Sequence, residues 1–237
     1  MTNGFSGFPQ EGIDFMRGLA RNNRREWFQP RKAIFDEKVK GPMRDLVAAV
    51  NAGLARFAPE YITEPDNAIF RIYRDTRFSK DKKPYKEHIA ATFRRGAGCA
   101  QADGGYYFAV SHKEVAIGGG IYQPEPASLL AIRGHIAEKH EELRKILADR
   151  TLRRLLGELH GEQLSRVPKG FSSEDPAADL LRYKQFTFYI ELPPDIATKP
   201  GLDKEIVKRY EAMLPFLKFL TAPLLRARPK MDVRDLV

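Results

Sequence analysis

Residues 105–119 read GYYFAVSHKEVAIGG. Phe108 and Val110 fall on one side of an extended chain, and Tyr107 and Ser111 on the other. Alternation with period two marks a strand. A second β-rich run starts again at Val115, with little more than His112–Lys113 between the two. So short a connection predicts a tight antiparallel hairpin.

Similar runs lie outward from this hairpin. AIFRIYR (68–74) and HIAATFR (88–94) precede it, and KQFTFYIEL (184–192) follows far downstream. GAGCAQADGG (96–105) reads as a flexible loop. The flanks are helical. MRDLVAAVNAGLARF (43–57) repeats Leu46, Val47, Val50, Leu54 and Phe57 on one helical face, and Trp27 with Phe28 reads as a core anchor. Asn23 stands where a helix N-cap belongs, and Pro30 and Pro42 suit first-turn positions. PASLLAIRGHIAEKHEELRKILAD (126–149) and RTLRRLLGELHG (150–161) continue the helical pattern. The stretch 202–227 predicts an amphipathic helix interrupted near Pro215 and Pro223. Strands grouped together and flanked by helices predict an α+β fold in one domain over residues 1–237, with about five largely antiparallel strands and helices on one face. Residues 1–60 are its helical N-terminal part, 66–120 and 184–192 the sheet, and 125–160 and 200–226 the later helices.

Alternation divides the predicted sheet into two faces. Phe70, Ile72, Ile89, Ala91, Phe93, Phe108, Val110, Val115, Ile117, Phe186, Phe188 and Ile190 make the apolar face. Arg71, Tyr73, His88, Thr92, Tyr107, Ser111, Thr187 and Tyr189 make the other. That second set is poor in Lys and Glu and rich in groups that stack and donate hydrogen bonds, a composition suited to a lined cleft.

The charge is unevenly spread. The 237-residue chain carries a net +9, and residues 71–95 supply nine cations against three acids, +6 of that total. Like charges crowded together favour an anion or nearby carboxylates. Arg71, Arg74, Arg77, Lys80 and Lys86 are therefore the candidate anion ligands, with Tyr73, Tyr85, Tyr107, Tyr189 and His88 beside them. Asp75 and Asp81 are placed to orient the arginines. His88, the one histidine on the polar face, is the candidate general acid or base. The glycines of AIGGGIYQPEPASLL (116–130) permit close backbone approach ahead of a helix N-terminus.

A small anionic ligand is the expected partner, with no cofactor and no metal. Nucleic acid on the basic 71–95 segment is the alternative, since cations and aromatics occur together there. A protein with an acidic surface is a third partner class. Pro65–Asp66 with Asp81-x-Lys83 imitates the carboxylate pattern of metal-dependent phosphodiester hydrolases, but Asp81–Lys83 lies before Pro84, where that pattern needs a strand. His135 and His140 are five apart, which is wrong for a zinc pair on one helix face, and read as surface residues. Cys99 is the single cysteine, which excludes an internal disulfide. Without a membrane-length apolar run or a signal-peptide pattern, the expected location is cytoplasmic, with no membrane partner.

Five blocks carry a resemblance: NNRREWF, FRIYRDTRFSKDKKPYKEHI, GYYFAVS, GGGIYQPEPASLLAIRGHI and PKGFSSEDPAADLLRYKQF. Together they resemble a large family of bacterial and fungal proteins catalogued as domain of unknown function 2461, over about Phe8 to Leu225. YRDTRFSKDKKPYK is the most specific block, and the resemblance makes Arg71, Arg74, Asp75, Arg77, Lys82, Pro84, Tyr85 and Lys86 the signature positions. The resemblance implies one α+β domain and brings no activity, cofactor or catalytic residue with it.

Overall fold

The computed structural model describes residues 4–95 and 104–227. Cys99 and most of the 96–105 stretch lie outside the described residues. Among the described residues, the fold joins helices to one open antiparallel sheet of four strands in the order β1 (His88–Arg94), β2 (Gly105–Ser111), β3 (Val115–Ile121) and β4 (Phe186–Leu192).

The hairpin between β2 and β3 closes as expected. Ser111 Oγ accepts hydrogen bonds from Lys113 N and Glu114 N, each 3.0 Å, and Ser111 N donates to Glu114 O at 3.0 Å. Ser111 is thereby drawn into the turn, away from any role on the open face.

Residues 68–74 do not add a fifth strand. Ile69 bridges Ala91, and Phe70 N donates to Ala90 O at 2.9 Å. A continuous antiparallel ladder would then set Tyr73 opposite Glu87, yet Tyr73 bridges Tyr85. The segment leaves the sheet and pairs with its own return, through Lys86 N to Ile72 O at 2.8 Å and Arg74 N to Pro84 O at 2.9 Å. The Ile69–Ala91 register, ahead of the slip, overturns the expected facing of Phe70. Its ring packs on Ala90, Ala109 and Ala116 beside Tyr107, on the sheet face opposite the main core.

The main core extends from Phe5 to Leu224. Helix α1 (Gln10–Arg21) contributes Ile13, Phe15, Met16 and Leu19, and α2 (Gly41–Leu54) contributes Met43, Leu46, Val47, Val50 and Leu54. Later come α3 (Pro126–Leu147), α4 (Arg150–Leu156) and α5 (Leu202–Ala227). Each helix buries an apolar stripe at helical spacing, which stabilises it more than propensity does. On α5, Tyr210 stacks on Tyr106 of β2 at 4.3 Å, and Phe216 meets Phe188 of β4 edge-on at 4.9 Å.

Helix α5 is continuous through Pro215 and Pro223, contrary to the expected interruption. A proline costs a helix one hydrogen bond and a steric clash. Pro215 is on the exposed side, where water can satisfy the carbonyl left without a donor, while Met213, Phe216, Leu217 and Leu220 stay buried. His135 also departs from expectation. It is buried on α3, with its ring 4.6 Å from that of Phe219.

Candidate functional site

The sheet face away from the helices bears the site. Antiparallel register sets side chains of adjacent strands side by side, so the face can be read in rows. One row is Thr92, Tyr107, Gly118 and Tyr189 across the four strands. The next is Arg94, Gly105, Gly120 and Thr187. These rows line a cavity of about 480 Å³, walled further by Phe70 and Tyr122.

Bare backbone makes the floor. A Cβ at Gly105 would collide with Phe93 O, and one at Gly120 with Phe186 O. Gly120 also has φ +125°, a conformation that disfavours any side chain. At Gly118 a Cβ would stand 2.5 Å from Phe188 O and 3.3 Å from Cδ2 of Tyr189, whose ring leans over it. On the reverse side Gly119 lets α5 approach, since a Cβ there would meet Met213 Sδ at 2.6 Å.

The polar groups are donors in a partly dry setting. Burial, then the neighbouring Tyr189 and Glu114, push the Tyr107 hydroxyl up to about 12. Burial also raises Tyr189, followed by Glu191 and Glu114. Both hydroxyls are therefore protonated at neutral pH. Arg94 forms no ion pair among the described residues. Thr187 Oγ1 donates to His160 O at 3.2 Å.

Phe70 walls this cleft at the β1 edge. Its ring is 6.5 Å from that of Tyr107, and Lys86 Nζ sits over it, 4.9 Å from the ring centroid. Burial lowers the Lys86 pKa, and the nearby positive charge of Arg71 lowers it further. His88 is lowered by burial first and by Lys86 second, with Glu87 opposing, so its imidazole is neutral near pH 7. Toward the core, Phe70 also borders a smaller cavity of about 310 Å³, onto which Arg71 and Tyr73 open; Lys32, Asp36, Lys40 and Asp66 share it with the core residues Phe28, Phe35 and Ile89. Lys32 pairs with Asp36 there, and Asp66 with Arg44.

Much of the rest of the basic segment satisfies its own charge, Lys80 at the tip excepted. Arg77 grips Asp75 with two prongs, Nε to Oδ1 at 3.0 Å and Nη2 to Oδ2 at 2.7 Å. Arg74 Nη1 donates to Asp81 Oδ2 at 2.7 Å, and Lys83 pairs with Glu87 at 2.9 Å. Lys82 Nζ donates to Thr76 O at 2.9 Å. The Arg77 hydrogen bond holds Asp75 below the usual carboxylate range, and the Lys83 amide followed by Arg74 does the same for Asp81. Lys80 is exposed at this tip.

Tyr85 does not join the site. It is 1% exposed and stacks on Phe28 at 4.2 Å. Asn23 clamps its backbone, donating from Nδ2 to Tyr85 O and accepting from Tyr85 N, both 3.0 Å. Asn23 therefore anchors the basic loop rather than capping a helix, a role for which no local signal exists.

Of the expected residues, the structure brings Tyr107 and Tyr189 together in the cleft. Lys86 covers the cleft wall Phe70, His88 stands on β1 two rows from Thr92 and outside the cavity lining, Arg71 and Tyr73 open onto the smaller cavity, and Arg74, Arg77 and Lys80 belong to the loop tip. Arg94 was missed, although the period that placed Thr92 on this face extends to it. Asp66 and Asp81, the pair of the hydrolase pattern, are each held by a separate arginine. Among the described residues no three His, Cys, Asp or Glu side chains gather to hold a metal, and no helix is long and apolar enough to cross a membrane. A cavity of about 1220 Å³, larger than the cleft, lies between the N-terminal segment, α2 and α5. Alanines and charges of both signs line it, so it offers no single-sign field to a ligand.

A family model described as a conserved hypothetical protein, DUF2461, matches residues 11–219. The chain belongs to the DUF2461 family. The matched span takes in the basic loop, all four strands and most of α5, so every wall of the cleft is part of the DUF2461 domain. No curated protein and no solved structure matches the chain.

Proposed function

We propose that this DUF2461 protein binds a small ligand bearing a carboxylate or phosphate in the cleft on the open sheet face. The observation that carries this reading is Arg94, a cation with no ion pair among the described residues, standing in one row with two bare glycines and lining the same cavity as two protonated tyrosines. A guanidinium can take either anion bidentately, and exposed backbone lets the ligand approach closely. Lys86 and Arg71, likewise without ion pairs among the described residues, add positive potential around Phe70. Neutral His88 is the available proton donor or acceptor at that end.

A thermal-shift panel of carboxylates and phosphates, run at low and moderate salt, tests this. Stabilisation by a small acid that survives moderate salt, and drops about tenfold or more in affinity with Arg94→Ala, is the expected result. Equal binding by the Arg94→Ala protein would sink the assignment.

A second reading rests on the loop tip. Phe78 is 94% exposed and lies beside the Arg77 guanidinium, 5.6 Å from its ring centroid, near Lys80 and Lys82. An exposed ring among cations can stack on a nucleobase. Single-stranded oligonucleotides in the same panel test it, because their binding falls steeply with salt through counterion release.

A further inference from the structure

We infer that the ligand of the sheet-face cleft is a flat aromatic or heteroaromatic ring carrying its acid in the ring plane; this rests on the cleft being the ligand site. The inference comes from the shape of the floor. In the row Arg94, Gly105, Gly120, Thr187, the two middle positions have no side chain, and backbone collisions forbid one at either. Adjacent strands are about 4.8 Å apart, so the bare patch is about one ring wide. A planar ring meets peptide planes there over its whole face, whereas a puckered ring touches at a few atoms only.

The walls agree with the floor. Tyr107 and Tyr189 stand in the next row, and Tyr122 lines the same cavity. Aromatic walls favour a ring whose edge or face meets theirs. Arg94 closes the row at the β1 end, so an acid group projecting from the ring edge reaches a guanidinium without tilting the ring off the glycines. A cavity of about 480 Å³ holds one such ring with its substituent.

The test compares matched probes on the full chain. Benzoate and cyclohexanecarboxylate share charge and ring size but differ in planarity, and benzamide keeps the plane while losing the charge. Binding is followed by ligand-observed NMR, which also reports upfield ring-current shifts from neighbouring tyrosines. Benzoate is expected to bind about tenfold tighter than cyclohexanecarboxylate. Its ring protons move upfield, and Tyr189→Ala reduces both effects. Tyr122→Ala, at an exposed ring that lines the same cavity, is the second variant; it is expected to weaken benzoate likewise, with folding checked by circular dichroism.

Equal affinity of benzoate and cyclohexanecarboxylate overturns the planar-ring inference while leaving an acid site standing. Benzamide binding as well as benzoate keeps the planar slot and removes the anion reading. Failure of all three probes, with an aliphatic acid or phosphate from the panel still binding through Arg94, again overturns the planar ring alone. Failure of every small acid overturns both.

Discussion

The basic loop tip runs on into β1 of the open sheet face, and both read as polar and functional. They differ in where their polar groups end. In the tip, Arg74, Arg77 and Lys83 each find a carboxylate, and Lys82 finds a backbone carbonyl. On the sheet face, Arg94 and Lys86 find none among the described residues, and Tyr107 keeps its proton in a partly dry setting. A dense run of charge can thus be a self-contained brace. A half-buried donor with no partner points more directly to a ligand. The loop also leans on the core: Tyr85 stacks on Phe28, and Asn23 holds its backbone from 62 residues away.

Phe28→Ala is the sharpest way to break the loop side of this contrast. It removes a fully buried ring and is expected to cost about 3–5 kcal/mol, read from urea unfolding. Molecules that remain folded should bind cleft ligands as before, which separates the brace from the site.

Asn23→Ala comes next. It strips two hydrogen bonds from a part-buried backbone, an expected loss of about 1–3 kcal/mol in the same assay. An unchanged midpoint would mean that Asn23 does not anchor the loop.

On the sheet face, the Tyr107 hydroxyl gives a pH signature. Its folded pKa is raised from 10.0 to about 12, so the unfolded chain releases this proton first as pH rises. Its contribution to stability is therefore constant below pH 10 and declines between pH 10 and about 12. Tyr107→Phe should flatten the corresponding part of the stability profile, and should leave tyrosinate absorbance unchanged until the upper end of that range. Loss of absorbance near pH 10 in the variant would show that Tyr107 is wet and the cleft open to bulk solvent.

The smallest effect is expected from Arg77→Ala. Its pair with Asp75 is fully exposed, and such pairs contribute little. Neither the melting temperature nor the affinity for a small acid should change measurably.

Much of this contrast was legible from residue order alone. Period-two alternation placed Thr92, Tyr107, Thr187 and Tyr189 on one face, and the Asp75 and Asp81 pairings are local enough to anticipate. The same alternation reaches Arg94, one of the nine cations of 71–95 but not among the expected ligands. What could not be read was set by distant partners. Asn23 and Tyr85 meet only in the folded chain, and residues 68–74 slip out of register because their own loop offers a competing partner. Pro215 reads as a break until its exposed side is known. The glycines are ambiguous one by one, and only cross-strand register aligns Gly105 with Gly120 as a floor.

The most direct test is amide chemical-shift mapping of the isotope-labelled protein with the tightest-binding small acid from the panel. Movement centred on Gly105, Gly118 and Gly120, with the 76–83 amides still, is the predicted result. Movement centred on the 76–83 amides, with the three glycines unmoved, would contradict the account and return the site to the basic loop.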